Sequence, residues 1–173
     1  MVINLKQSTL FLKPKELILY SFFGALIFCS QVAMASLPNI EPVSLFVILL
    51  AVVFGKKSLI SVYIFVLLEG IFYGFGLWFV NYLYVWLILW LTAYFLRGIK
   101  QAYFWAVISA LFGLAFGTLC SVPYFFIGGA SAAAAYIISG FIFDIPHCIG
   151  NAILTFLLFT PLCKILEKLK QRF

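Results

Sequence analysis

Three stretches of this sequence hold no lysine or arginine: residues 16–55, 58–96 and 101–163. All eleven basic residues fall in the short segments between and around them. The chain as a whole is 66% hydrophobic and 9% charged, whereas a soluble domain is about a quarter charged. No soluble fold of this size could cover so much apolar surface. The solvent for such a chain is a lipid bilayer, where a helix satisfies its own backbone hydrogen bonds. The fold class is therefore an all-α membrane protein.

The apolar runs divide into six expected spans, at about 17–37, 43–54, 58–79, 82–96, 102–127 and 131–163, in a single membrane domain covering 1–173. Residues 1–16 and 164–173 remain as polar ends, and Pro14 suits the first position of the first helix. The first run measures about 30 Å as a helix, enough to cross. Residues 43–54 give only about 18 Å, so that segment starts within the preceding loop or sits in thinned bilayer. Gly128-Gly129 separates the fifth run from the sixth, and Pro146 gives the long sixth run a reason to kink. The basic residues occupy the N-terminal segment (Lys6, Lys13, Lys15), loop 2–3 (Lys56, Lys57), loop 4–5 (Arg97, Lys100) and the C-terminal tail (Lys164, Lys168, Lys170, Arg172). Loops 1–2, 3–4 and 5–6 have none. The positive-inside rule then places both termini and the basic loops in the cytoplasm of a multi-pass cell-membrane protein.

The net charge of +6 follows this topology rather than forming a phosphate-binding patch, which argues against nucleic acid as a partner. Lys13 and Lys15 ahead of an apolar core, with Ala33-Met34-Ala35 before Ser36, also match a secretory signal and its cleavage site, although the run is long for one. Cys29, Cys120, Cys148 and Cys163 stand singly, without a C-x-x-C pair or a His/Cys cluster, so no metal or other cofactor is expected. There is no Walker A loop, no H-E-x-x-H and no Ser/His/Asp set, and the chain is not expected to be an enzyme.

Polar groups inside the apolar runs are costly, about 2.5–3.5 kcal/mol for a charge at the bilayer centre on insertion scales, and must face protein or water. Glu69 lies near the middle of the third run. Asp144, His147 (the only histidine) and Asn151 follow one another at i, i+3 and i+7, on one helix face. On the uncharged side the chain offers Asn39 and Glu41, in a loop stiffened by Pro38 and Pro42, and Asn81 and Tyr82 amid Trp78, Phe79, Tyr84, Trp86 and Trp90. Two readings stand for these residues: a polar floor and aromatic wall of a solute pocket open to the outside, or a network and an interfacial aromatic belt that lock the helices. A proton relay through Glu69, Asp144 and His147 is a third. Ser21, Ala25, Cys29 and Ala33, each four apart, form a stripe of small residues that lets another helix approach closely.

These features together resemble the substrate-binding membrane subunits, or S-components, of energy-coupling factor (ECF) transporters. The resemblance covers residues 17–166. It rests on the small size, six spans with both ends inside, the Ser21/Ala25/Cys29/Ala33 stripe, Leu37-Pro38-Asn39-Ile40-Glu41-Pro42 leading into span 2, and Gly140-x-x-x-Asp144-x-x-His147-x-x-Gly150-Asn151 in span 6. It implies a subunit that binds a vitamin or vitamin precursor from outside and delivers it inward together with a transmembrane scaffold subunit and two ATP-binding subunits, which hydrolyse the ATP. It further implies that Ala25, Cys29 and Ala33 meet the scaffold, with Cys29 standing where the family usually has alanine or glycine. The solute site is implied on the outer half, where Asn39, Glu41, Asn81, Tyr82, Asp144, His147 and Asn151 fall. A pyridoxine-like or hydroxymethylpyrimidine-like solute is the lead expectation, with cobalamin or a queuosine precursor as further ones. The competing classes are a stand-alone proton-coupled carrier and a structural membrane protein.

Overall fold

A computed structural model describes residues 13–37 and 40–172. Asn39 lies outside the described residues. The elements are α1 (Pro14–Ala33), α2 (Val43–Phe54), a 3-10 turn (Gly55–Ser58), α3 (Leu59–Tyr73), α4 (Leu77–Phe95), α5 (Ala102–Cys120) and α6 (Val122–Lys170). There is no strand among the described residues. Five helical stretches are long and apolar enough to cross a membrane; α2, the turn and α3 together make one of them.

Local chemistry sets the element ends. Pro14 occupies the first turn of α1, where its missing N–H costs nothing, and Glu16 accepts a hydrogen bond from the Lys13 backbone N–H at 3.0 Å. Gly74 (φ 85) ends α3, and its left-handed backbone requires a residue without a Cβ. Gly129 (φ 71) does the same inside α6, where Gly128 and Gly129 are the only non-helical positions. Tyr124 stacks on Tyr136 across this point, so the chain reverses there.

The bundle is organised around α2, which is apolar on every side. Such a helix belongs inside, and every α2 residue except Phe46 and Phe54 is buried. It packs against α1, α4 and α6. α1 and α3 run the same way, joined by Glu16–Lys57 at 2.7 Å near one end and by Phe28 on Phe72 near the other. α4 returns along α3, with Trp90 donating to Ser58 at 3.0 Å. α5 and α6 form a long antiparallel pair, tied by Lys100–Glu167 at 2.7 Å, Trp105 on Phe159, and Gly117 on Asp144. The described lysines and arginines consequently gather at one end of the bundle, where Lys170 also donates to the Val53 carbonyl at 2.6 Å. The flanks carry bare hydrocarbon: Phe126, Ile138, Phe95 and Ile142 are 68–81% exposed. That surface suits acyl chains rather than water.

Several boundaries differ from the sequence-based spans. The first helix covers 14–33, not 17–37, because the chain turns at Met34. The third and fourth were placed at 58–79 and 82–96; Gly74-Phe75-Gly76 instead forms a three-residue link between Tyr73 and Leu77. Asn81, expected between the third and fourth spans, therefore lies within α4 together with Tyr82. The chain reversal expected at Gly128-Gly129 is present, but helix resumes at Val122, ahead of it. Pro146 and Pro161 both sit within α6 at helical dihedrals, and the break in those dihedrals lies at the glycine pair.

Candidate functional site

At the end of the bundle away from the lysines lies a cavity of about 340 Å³. Gln31 enters it from the last turn of α1, and Met34, Ala35, Leu37 and Glu41 from the segment between α1 and α2. Glu69 and Tyr73 come from the end of α3, Trp78 and Tyr82 from the start of α4, Phe116 from α5 and His147 from α6.

Three buried polar atoms of this lining, Gln31 Oε1, Glu69 Oε1 and His147 Nε2, have no hydrogen-bond partner among the described residues. Glu69 and His147 are each only 2% exposed. A buried polar atom left unmatched costs about 1–3 kcal/mol, and three such atoms belong to side chains that line this one cavity, which favours a polar occupant. Gln31 Nε2 donates to the Tyr82 hydroxyl at 3.5 Å, a long bond. The Tyr82 ring is held edge-on by Trp78 (5.3 Å between centroids) and Trp86 (5.5 Å). Phe116 packs against the His147 ring at 4.9 Å. The site thus combines two carboxyl groups, an amide and an imidazole with a fixed aromatic wall. No group of three His, Cys, Asp or Glu side chains suited to a metal ion occurs among the described residues.

Burial, and then the charge of Glu69, push the Glu41 carboxyl from 4.5 up to about 8. In the folded protein Glu41 holds a proton at neutral pH that the unfolded chain releases above about 4.5, so folding takes up a proton in that window. Raising the pH from about 5 to 8 is therefore expected to lower the unfolding temperature of the detergent-solubilised protein. Glu41→Gln should flatten that slope in a thermal scan across the same pH range.

Neither family models, curated proteins nor solved structures match this chain.

Of the residues singled out from sequence, the structure brings Glu41, Glu69, Tyr82 and His147 together in the cavity. Asp144 is buried one helical turn from His147 and accepts a hydrogen bond from the Gly117 N–H at 3.0 Å. It lines a separate cavity of about 410 Å³ with Tyr136 and Gly140, divided from the first by Phe116 and His147. Asn81 is buried against α4 itself, with Tyr84 Oη 3.1 Å from its Oδ1 and donating to the Leu119 carbonyl at 2.6 Å. Asn151 lies deeper, donating to Ser44 Oγ at 3.0 Å and to the Ser109 carbonyl at 3.1 Å. It joins α2, α5 and α6. Asn151→Ala is expected to lower stability by about 1–3 kcal/mol through the groups it leaves unpaired, with little change in the affinity of the cavity for its solute; chemical denaturation and a binding titration on the same variant separate the two effects.

Ser21 and Ala25 are half-buried, and Cys29 and Ala33 are exposed, so the stripe faces outward along α1. Inside the bundle, the close approach of α1 to α3 is made by Gly24 instead, where a Cβ would lie 2.6 Å from Ile64 Cγ2 and 2.9 Å from the Ser61 carbonyl oxygen. Sequence reasoning missed Gln31, Tyr73 and Phe116 as lining residues. Gln31 carried a signal, as the one amide inside the first apolar run; Tyr73 and Phe116 resemble every other aromatic of the chain.

Proposed function

We propose that this chain is the solute-binding membrane subunit of an ECF-type importer, with six spans and both termini in the cytoplasm. The observation that carries the reading is the cavity at the end remote from the described lysines, lined by Gln31, Glu69 and His147, each of which holds a buried polar atom unmatched among the described residues. If the basic end faces the cytoplasm, as the positive-inside rule directs, the cavity faces outward and is placed to take solute from outside. Its volume of about 340 Å³ suits one heterocycle of the size of pyridoxine, a hydroxymethylpyrimidine or a queuosine-precursor base. It is too small for cobalamin. Tyr73, Trp78, Tyr82 and Phe116 supply a surface for a flat ring, and the carboxyl, amide and imidazole groups recognise its edge.

In this reading the chain is not an enzyme. A transmembrane scaffold subunit and two ATP-binding subunits provide the free energy, and the outward stripe Ser21/Ala25/Cys29/Ala33 is the face offered to the scaffold. Specificity comes from a closed state of the pocket, and the solute shifts the equilibrium toward it only through its preference for that state.

The test is purification from a membrane that expresses the chain with an affinity tag, followed by native mass spectrometry. Co-purification of two nucleotide-binding subunits and a scaffold, with a carried-over small molecule, is expected. A chain that never associates with such partners, or uptake that follows a pH gradient and survives ATP depletion, overturns the proposal and favours a proton-coupled carrier using Glu69, Asp144 and His147.

A further inference from the structure

The charge class of the occupant can be read from what the cavity lacks as well as what it holds. Glu41 and Glu69 both line it, and no lysine or arginine among the described residues does. The described basic residues sit at the opposite end of the bundle, where Lys57 pairs with Glu16, Lys100 with Glu167, and Lys170 donates to the Val53 carbonyl. Two of the unmatched atoms, Gln31 Oε1 and Glu69 Oε1, can only accept hydrogen bonds unless the carboxyl is protonated. An anionic occupant would have to approach the Glu69 carboxyl, beside a Glu41 that is protonated in the empty protein, in a low-dielectric space without a described cation to offset it, which is unfavourable.

A donor-rich cation meets the opposite situation. Its N–H groups satisfy the carboxylate and amide oxygens, and its charge compensates the buried acid. The aromatic wall of Tyr73, Trp78, Tyr82 and Phe116 presents ring surfaces that attract a delocalised cation. The same wall argues against a bare metal ion, as does the absence of a three-ligand His, Cys, Asp or Glu set among the described residues.

We propose that the cavity selects planar organic cations of the amidinium or protonated aminoheterocycle class, with Glu69 and Glu41 gripping the N–H edge and the rings covering the face, and that it rejects carboxylated and phosphorylated forms of the same rings. The choice of a small outward-side solute rests on the importer reading; the choice of charge rests on the lining alone.

Three isosteric probes test this: benzamidinium, benzamide and benzoate, each titrated at millimolar concentration into the detergent-solubilised full chain with the unfolding temperature as readout. Benzamidinium is expected to raise that temperature, benzamide to bind about tenfold or more weakly, as loss of a charge-assisted hydrogen bond implies, and benzoate not to bind. In Glu41→Gln/Glu69→Gln the preference for benzamidinium over benzamide should disappear while the empty protein still unfolds cooperatively. The proposal is overturned by benzoate binding as well as benzamidinium, by an equal shift with Zn2+ or Mg2+, by no shift with benzamidinium, or by a preference that survives the double variant. Failure of the importer reading looks different: the cation preference then persists in a chain that captures no ATP-binding subunits. Conversely, an assembled importer that carries an anionic solute overturns the charge assignment and leaves the importer reading standing.

Discussion

Glu69→Gln is expected to weaken binding of the carried solute by roughly 10–150-fold, the equivalent of about 1.5–3 kcal/mol for a hydrogen bond to a charged group. It should do so without loss of stability in the empty protein. The reason is the position of the carboxyl: 2% exposed, on the cavity wall, with Oε1 unmatched among the described residues. A side chain kept for structure would be expected to have its partners within the fold. One kept for a ligand has them only when the ligand is present. Glu69→Leu extends the argument, since it removes the buried polar group altogether and should raise the unfolding temperature while abolishing binding. Calorimetric titration with the co-purified solute and a thermal scan of the empty protein read the two effects separately. A fall in unfolding temperature with unchanged affinity would assign Glu69 to helix packing.

Gly113→Ala carries the largest expected cost to the fold. A Cβ at that position would lie 2.8 Å from the His147 carbonyl carbon and 2.9 Å from both the His147 oxygen and the Cys148 nitrogen. These are backbone atoms of α6, which cannot rotate aside as a side-chain tip can. Alanine improves helix propensity by about 1 kcal/mol, but the helices must part to admit it, and overpacking of this kind costs about 1–3 kcal/mol or more. The clash should win, and it displaces His147, so both unfolding temperature and solute affinity should drop. Gly140→Ala is the control, because a Cβ there meets nothing within 4 Å; it should be neutral or stabilising by up to about 1 kcal/mol. Equal losses in the two variants would mean that α5 and α6 do not cross as closely as described.

The two glycines also mark where sequence reading stops. Both sit in apolar helical runs and look alike in sequence. One touches backbone and the other open space, and that difference depends on a neighbour about 30 residues further along the chain. The same limit explains Asp144, His147 and Asn151. Their spacing placed them on one helix face, as it must for residues three and four apart. What lies opposite that face changes along α6: Gly117 meets Asp144, the cavity meets His147, and Ser44 with Ser109 meets Asn151. Asn81 and Tyr82, at the expected start of the fourth span, lie in the second turn of α4. Within a helix, adjacent residues point about 100° apart, so Tyr82 reaches the cavity and Asn81 does not.

The helical class, the long apolar runs suited to a bilayer and the grouping of the positive charge were all legible from composition, because each follows from local residue content and the cost of charge in hydrocarbon. The central place of α2 was equally implicit in a segment without a polar side for water. Only the tertiary structure decided that Gln31, Glu41, Glu69, Tyr82 and His147 share one cavity. They come from four helices and a loop, separated by up to more than a hundred residues, and helical periodicity specifies which face a residue occupies without specifying what is packed against it.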